Sequence, residues 1–219
     1  MRAETYTTEA ASPALPHAGR RAVRTQRTAA RSAQARAQIL EVSVGLLAVR
    51  GWQGVHVTEV SRRARLSQSK LYLHFGSLEG LLIASVERWS DDALPRSITW
   101  DHTREPIDDF LLRLVHNVLG PWLSSPHLLD AFRHLVRTPA GSALLVHQRA
   151  RIEAALRAAV GDAGRAFADN VCPYLSNLLG AMIAGTCLGA SDGDRMMQTV
   201  QAAIDRLAGL GERPAYSVR

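Results

Sequence analysis

Gln68, Ser69, Lys70, Tyr72 and His74 fall within one short stretch, and each carries a side-chain hydrogen-bond donor with no acid among them. That set suits recognition better than catalysis. A glutamine amide pairs with adenine, a lysine ammonium pairs with guanine, and hydroxyl and imidazole groups reach phosphate oxygens. The rest of the chain offers no rival chemistry as sharp. Its histidines are scattered, no nucleophile or pair of carboxylates stands at a recognisable spacing, and no glycine loop is built to cradle phosphates. No catalytic residue and no cofactor are therefore expected. Cys172 and Cys187 are the only cysteines, too few and too far apart for a zinc site, so no metal is expected either. They read as small core residues in a reducing cytosol, with a redox switch as the other reading.

The elements that must position the five donors follow from their neighbours. Val60 and Ala64 stand at the i, i+4 spacing of a helix face, and Ala64-Arg65-Leu66-Ser67 breaks the repeat. Ser67 suits an N-cap, so a second helix starts at Gln68 and buries Leu71 and Phe75, turning the five donors outward or to its edges. Thr58 and His56 compete to cap the first of these helices, and Thr58 adds a phosphate contact. Two short helices joined by a tight turn, the second one polar, form a helix-turn-helix, whose second helix enters the major groove. The candidate DNA-contacting residues are thus Thr58, Ser67, Gln68, Ser69, Lys70, Tyr72 and His74.

From about Arg36 to Val86 the chain resembles the DNA-binding domain of the TetR family of bacterial transcriptional regulators. The residues that carry the likeness are Ile39 and Leu40, the Arg50-Gly51 stop, Val60, Ala64 and Ser67. To these are added the run Leu71-Tyr72-Leu73-His74-Phe75, then Ser77, Glu79, Leu81 and Leu82. The resemblance implies an all-α homodimer with a small N-terminal reading head and a larger helical domain that binds an effector. Three residues depart from the pattern. Arg65 stands where the family usually has a turn glycine, Leu78 replaces a common lysine after Ser77, and Ser61 replaces a small alanine. The first forces the backbone to avoid a positive φ or tolerate the strain of one. The second removes a phosphate contact, and the third is a change that helix packing should accept.

A net charge of +6 and a pI near 10.1 point to an anionic partner, and the distribution locates it. Residues 20–75 hold eleven cations against Glu41 and Glu59, leaving the remainder net negative. A membrane-surface protein would need a broad apolar helix face beside the cations, which the Arg20–Arg31 run lacks. Lys70 is the only lysine of the chain. Arginine and alanine abundance is what a GC-rich genome produces, yet a lone lysine on the recognition helix is a testable base contact.

Residues 1–34 show no periodic apolar face and no apolar core segment of a signal peptide, and read as a flexible arginine-rich arm. Either its second half follows phosphates or enters the minor groove, or it is a solvated leader. Residues 35–94 form the reading head with its connecting helix, and 95–219 the effector and dimerisation domain. The first helix is predicted over about 35–50, and the connecting helix from Ser77 towards Pro95. Three further helices follow, the first stopped by Gly120-Pro121, the second opened by Pro126 and the third spanning about 142–160. No segment alternates with period two.

Asn170 to Ser191 has no charged residue, but Pro173 and its glycines argue for a buried helix rather than a membrane span. Gly180, Ala181, Ala184 and Gly185, with Val200 and Ile204 of the last helix, are read as a dimer interface, intrachain packing being the alternative. Trp100, Phe110, His116, Asn117, Trp122, Phe132 and His134 are the candidate effector residues, because aromatic groups with a few polar ones suit a small organic ligand. The expected partners are a palindromic double-stranded DNA operator, a small-molecule effector and a second copy of the chain, in the cytoplasm and away from membranes. A basic DNA-binding protein without sequence preference or effector is the alternative.

Overall fold

The computed structural model describes residues 17–93, 99–101, 103–161 and 165–185, together with 198, 201 and 202. Among these residues there is no strand. Their helices are α1 (His17–Arg50), α2 (Val57–Ala64), α3 (Gln68–Phe75), α4 (Leu78–Ala93), α5 (Ile107–Leu123), α6 (Pro126–Leu135), α7 (Ser142–Val160) and α8 (Arg165–Ala184). A 3-10 turn, Trp52–Gly54, follows α1. The fold is all-α, as expected.

Two units divide the chain, residues 1–37 and 38–219. In the first, α1 begins at His17 and not near Ala35, so the described part of the expected flexible arm is helical. From Arg24 to Gln34 the side chains bury nothing that would show as periodicity. Ala22, Ala29, Ala30 and Ala33 with interspersed arginine and glutamine are strong helix formers, and propensity alone carries the helix. From Arg24 to Gln34 every side chain is exposed, Arg24, Arg27 and Arg31 included.

In the second unit the apolar faces of the helices close on one core. Ile39 and Leu47 of α1, Val60 of α2, Leu71 of α3 and Leu81 and Val86 of α4 are each fully buried. Gly51, at φ 71°, ends α1, its N–H donating to the Leu47 carbonyl at 3.0 Å. Helix α4 packs on α6 and α7, and α6 also carries the 3-10 turn of the head. Asp91 of α4 pairs with Arg151 of α7 at 2.8 Å. The hydroxyls of Ser43 and Ser85, both fully buried, share a hydrogen bond at 2.9 Å that ties α1 to α4.

Helix α5 does not stop at Gly120-Pro121 but runs on to Leu123. Proline removes one N–H within the last turn, where few bonds remain to be lost, and the Ser124 N–H still donates to the Gly120 carbonyl at 2.9 Å. Helix α6 opens on Pro126 and α7 spans 142–160, both as predicted. Helix α8 packs along α7 and bears the start of the uncharged run, with Pro173 inside it. No helix among the described residues is long and apolar enough to cross a membrane. Cys172 is buried, and desolvation pushes its thiol up to about 11, which suits a packing residue rather than a reactive one. Cys187 lies outside the described residues.

Candidate nucleic-acid interface and effector region

The turn between α2 and α3 is built by two opposite end structures. Helix α2 ends with the Leu66 N–H donating to the Ser61 carbonyl at 3.0 Å and the Arg65 N–H to the Arg62 carbonyl at 3.3 Å, a Schellman closure. Arg65 sits at its left-handed position with φ 53° and ψ 40°, so of the two outcomes open to this arginine the chain takes the strained one. It is the only non-glycine residue with a positive φ among the described residues. Helix α3 then starts on Ser67, whose Oγ accepts from the Lys70 N–H at 3.3 Å.

That cap sets the phase of α3. Leu71 is fully buried and Phe75 half-buried, while Gln68, Ser69, Lys70 and Tyr72 are exposed. His74 is half-buried, its ring 6.1 Å from that of Phe75. Four of the five donors thus stand together on an open surface with the fifth at its edge. Leu73, at 82% exposure, belongs to the same helix and was not among the expected contacts. An apolar group there suits a thymine methyl. Thr58 does not cap α2. His56 takes the cap position, without a side-chain hydrogen bond, and Thr58 lies exposed inside the first turn.

The head's charge is less open than its count. Glu59 receives Arg63 at 2.6 Å and Arg62 at 3.1 Å, with Arg50 at 3.9 Å. The hydrogen bonds from Arg63 and then Arg62 hold its carboxyl below the usual carboxylate range. Arg65 and Lys70 have no ion pair among the described residues, in contrast to Arg50, Arg62 and Arg63. Behind α3, Gly76 at φ 72° closes the helix and Ser77 Oγ accepts the Gly80 N–H at 2.9 Å to start α4. A Cβ on Gly80 would run into the Phe75 carbonyl, so α3 and α4 meet in close backbone contact. Leu78, in the place of the family's lysine, is half-buried against the core. Ser61 is buried, and its Oγ has no hydrogen-bond partner among the described residues.

The seven expected effector residues do not form one set. Phe110, Trp122 and Phe132 are buried, Trp122 meeting Phe132 edge-on at 5.0 Å and Trp89 at 4.6 Å. Trp100 stacks on Phe110 at 5.6 Å and donates its indole N–H to the Glu105 carbonyl at 3.0 Å. His116 is exposed and Asn117 half-buried. His134 stands elsewhere, stacked on Trp52 of the head at 3.7 Å with the rings 6° from parallel. The Trp52 indole N–H also donates to Asp130 of α6 at 3.1 Å. Trp52 carried no motif to flag it, and its partners lie far along the chain.

Gln148 of α7 was missed as well, being only 1% exposed with its amide nitrogen unpartnered among the described residues. Of the expected interface residues, Gly180 and Ala184 are buried within the single chain. A Cβ on Gly180 would meet Arg149 Cγ at 2.8 Å, and one on Gly185 would meet Arg133 Nε at 3.2 Å. The small residues thus admit arginine stems of this same chain. Ala181 is half-buried, and Val200 and Ile204 lie outside the described residues.

Residues 39–85 match the family model described as bacterial regulatory proteins, tetR family. Among solved structures, the chain is similar to GusR of Salmonella enterica, with a TM-score of 0.55 at 20% identity over 80% of this chain and 96% of that one. It is similar to the TetR family repressor AlkX from Dietzia sp. strain DQ12-45-1b, with a TM-score of 0.54 at 21% identity over 80% and 94%. A third is a single-residue variant of TetR from Acinetobacter baumannii AYE in complex with minocycline, with a TM-score of 0.50 at 18% identity over 84% and 96%. No curated protein matches the chain. The capped, outward-facing α3 lies inside the segment that matches the tetR family model, residues 39–85, and the chain shares the all-α fold of the solved structures it is similar to.

Proposed function

We propose that this protein regulates transcription as a homodimer on a palindromic operator, most simply as a repressor, and that a small organic effector in its helical domain releases it. The observation that carries the reading is the exposure of Gln68, Ser69 and Lys70 at the start of α3, above a fully buried Leu71. On this reading Gln68 and Lys70 take base edges, and Ser69, Tyr72 and His74 take phosphates or groove edges. Ser67 holds the helix start and Thr58 adds a backbone contact. Two-fold symmetry then sets paired α3 helices about 34–36 Å apart, or at a further helical repeat. The cytoplasm is where such a target is met.

Two observations support the effector. Trp122, Phe132 and Phe110 gather aromatic surface in the helical domain, and the Gln148 amide is a buried donor that has no acceptor among the described residues. The similar Acinetobacter TetR variant holds minocycline, and AlkX is implicated in n-alkane biodegradation, which fits small organic effectors for this fold. An effector lowers DNA affinity only by favouring a different head arrangement.

The deciding experiment is selection of bound sites from random DNA with purified protein. An inverted repeat is expected, and its absence would remove the operator reading in favour of a basic protein without sequence preference. In the same assay Lys70→Ala is expected to relax one base position. A uniform loss on all sequences would make Lys70 a phosphate contact instead.

A further inference from the structure

Between the head and α6 lies an open cleft of about 320 Å³ that the DNA-reading surface does not use. Three elements wall it. The 3-10 turn and the residues after it supply Trp52 and His56, the first turns of α4 supply Leu78, Glu79 and Leu82, and the end of α6 supplies His134. Its volume sits at the lower end of the ~300–1,000 Å³ range of small-molecule sites.

The lining states which chemistry fits. Leu78, Leu82 and the Trp52 indole offer an apolar body of contact. Glu79 is the one acid on the wall, and it has no ion pair among the described residues. The contrast with Glu59 is informative, since that carboxylate gathers Arg50, Arg62 and Arg63 in the same head while Glu79 gathers none. A carboxylate and an indole that line one cleft suit an organic cation, by charge from the one and by the ring quadrupole of the indole face that His134 does not cover from the other. A metal ion is a poorer occupant, because no group of His, Cys, Asp and Glu that could hold one exists among the described residues.

We propose that this cleft is a binding site for a small aromatic monocation, distinct from any effector site in the aromatic core of α5 and α6. The ammonium sits on Glu79 and the ring lies against Trp52, Leu78 and Leu82. An occupant touches the turn before α2, the first turns of the helix that follows α3, and α6, so it braces the head against the core. By linkage, DNA and cation then change each other's affinity by one common factor.

The test is calorimetric titration of the full-length protein, without DNA, using phenethylammonium chloride as the probe and 2-phenylethanol as its neutral counterpart. Single-site binding at about 0.1–1 mM is expected. Glu79→Gln is expected to weaken it about tenfold or more, and the neutral probe should bind the parent protein more weakly by a similar factor. In parallel, 19F resonances of 5-fluorotryptophan protein are followed, with that of Trp52 assigned through Trp52→Phe. The Trp52 signal is expected to move and those of Trp89 and Trp122 to stay. Absence of binding up to about 10 mM, equal affinity in Glu79→Gln, or a titration that moves Trp122 and not Trp52 would each overturn the proposal. The fluorine readout decides the matter even if the Glu79 variant folds poorly. Because no DNA is present, failure here leaves the operator reading untouched.

Discussion

Arg65 holds a conformation that glycine adopts freely, so replacing it should stabilise the protein by an amount that can be worked out. At φ 53° and ψ 40° its Cβ crowds the following carbonyl, which costs an L-residue about 1–2 kcal/mol. Glycine returns ~0.4–1 kcal/mol of that through a freer unfolded chain. The balance for Arg65→Gly is about 1 kcal/mol of added stability, or ~2–4 °C in Tm for a unit of this size. Urea denaturation monitored by circular dichroism reads it directly as a shift of midpoint at constant slope. Arg65→Ala is the necessary control. It removes the same guanidinium from beside Arg62 and Arg63 but keeps the Cβ, so it should stay within about 0.5 kcal/mol of the parent. Alanine stabilising as much as glycine would show that charge repulsion, not backbone strain, was relieved. Glycine giving no gain at all would refute the strain altogether.

Three other perturbations bear on the same head. Ser61→Ala should stabilise by about 1 kcal/mol in the same denaturation assay, because it removes a buried hydroxyl without a partner; a loss would mean that the hydroxyl is satisfied in solution. Gly80→Ala should cost about 1–3 kcal/mol and weaken DNA binding beyond what stability explains, since its Cβ must push the Phe75 carbonyl and with it α3. Binding measured well below the variant's Tm separates the two effects. Glu59 is held below its ordinary 4.5 by Arg63 and Arg62, so its contribution is present above that value and fades as pH falls through the lower folded value. Glu59→Gln should therefore flatten stability against pH on the acid side of about 4.5, and should raise affinity for random-sequence DNA by releasing three arginines.

What was legible in the chain is what is local. Ser67 before a polar helix, Leu71 and Phe75 at i and i+4, and Gly51 after α1 all encode their structure within a turn or two. The same holds for α5, whose apolar residues recur at helical spacing, with Phe110, Leu111, Leu114, Val115, Val118 and Leu119 buried and Ile107 half-buried at the start. Periodicity was the wrong guide at the N-terminus, because α1 from Arg24 to Gln34 is exposed all round and so carries no burial pattern, only helix-forming composition. Pro121 misled for the opposite reason: a strong local breaker stands one turn from a helix end, where breaking costs little. The Trp52 contacts were illegible in principle, since the indole and its Asp130 partner are 78 residues apart and neither belongs to a pattern. The stacking of His134 on Trp52 was equally out of reach, because a helix repeat fixes which face a residue shares, not what another element brings to it.

The tight junction at Gly80 also determines how a signal can travel. With α3 pressed against the first turn of α4, the recognition helix has little freedom to swivel by itself and must follow the axis of its neighbour. That neighbour has 16 residues, so it is a rod of about 24 Å. A lean of about 10° at the core end would carry the reading end through roughly 4 Å, more than the ~3.4 Å rise of one base pair. If the protein works as proposed, a joint this stiff would turn a small repacking among the aromatic rings into a mismatch with the pitch of the duplex, with the hydrogen that Gly80 offers in place of a methyl as its pivot.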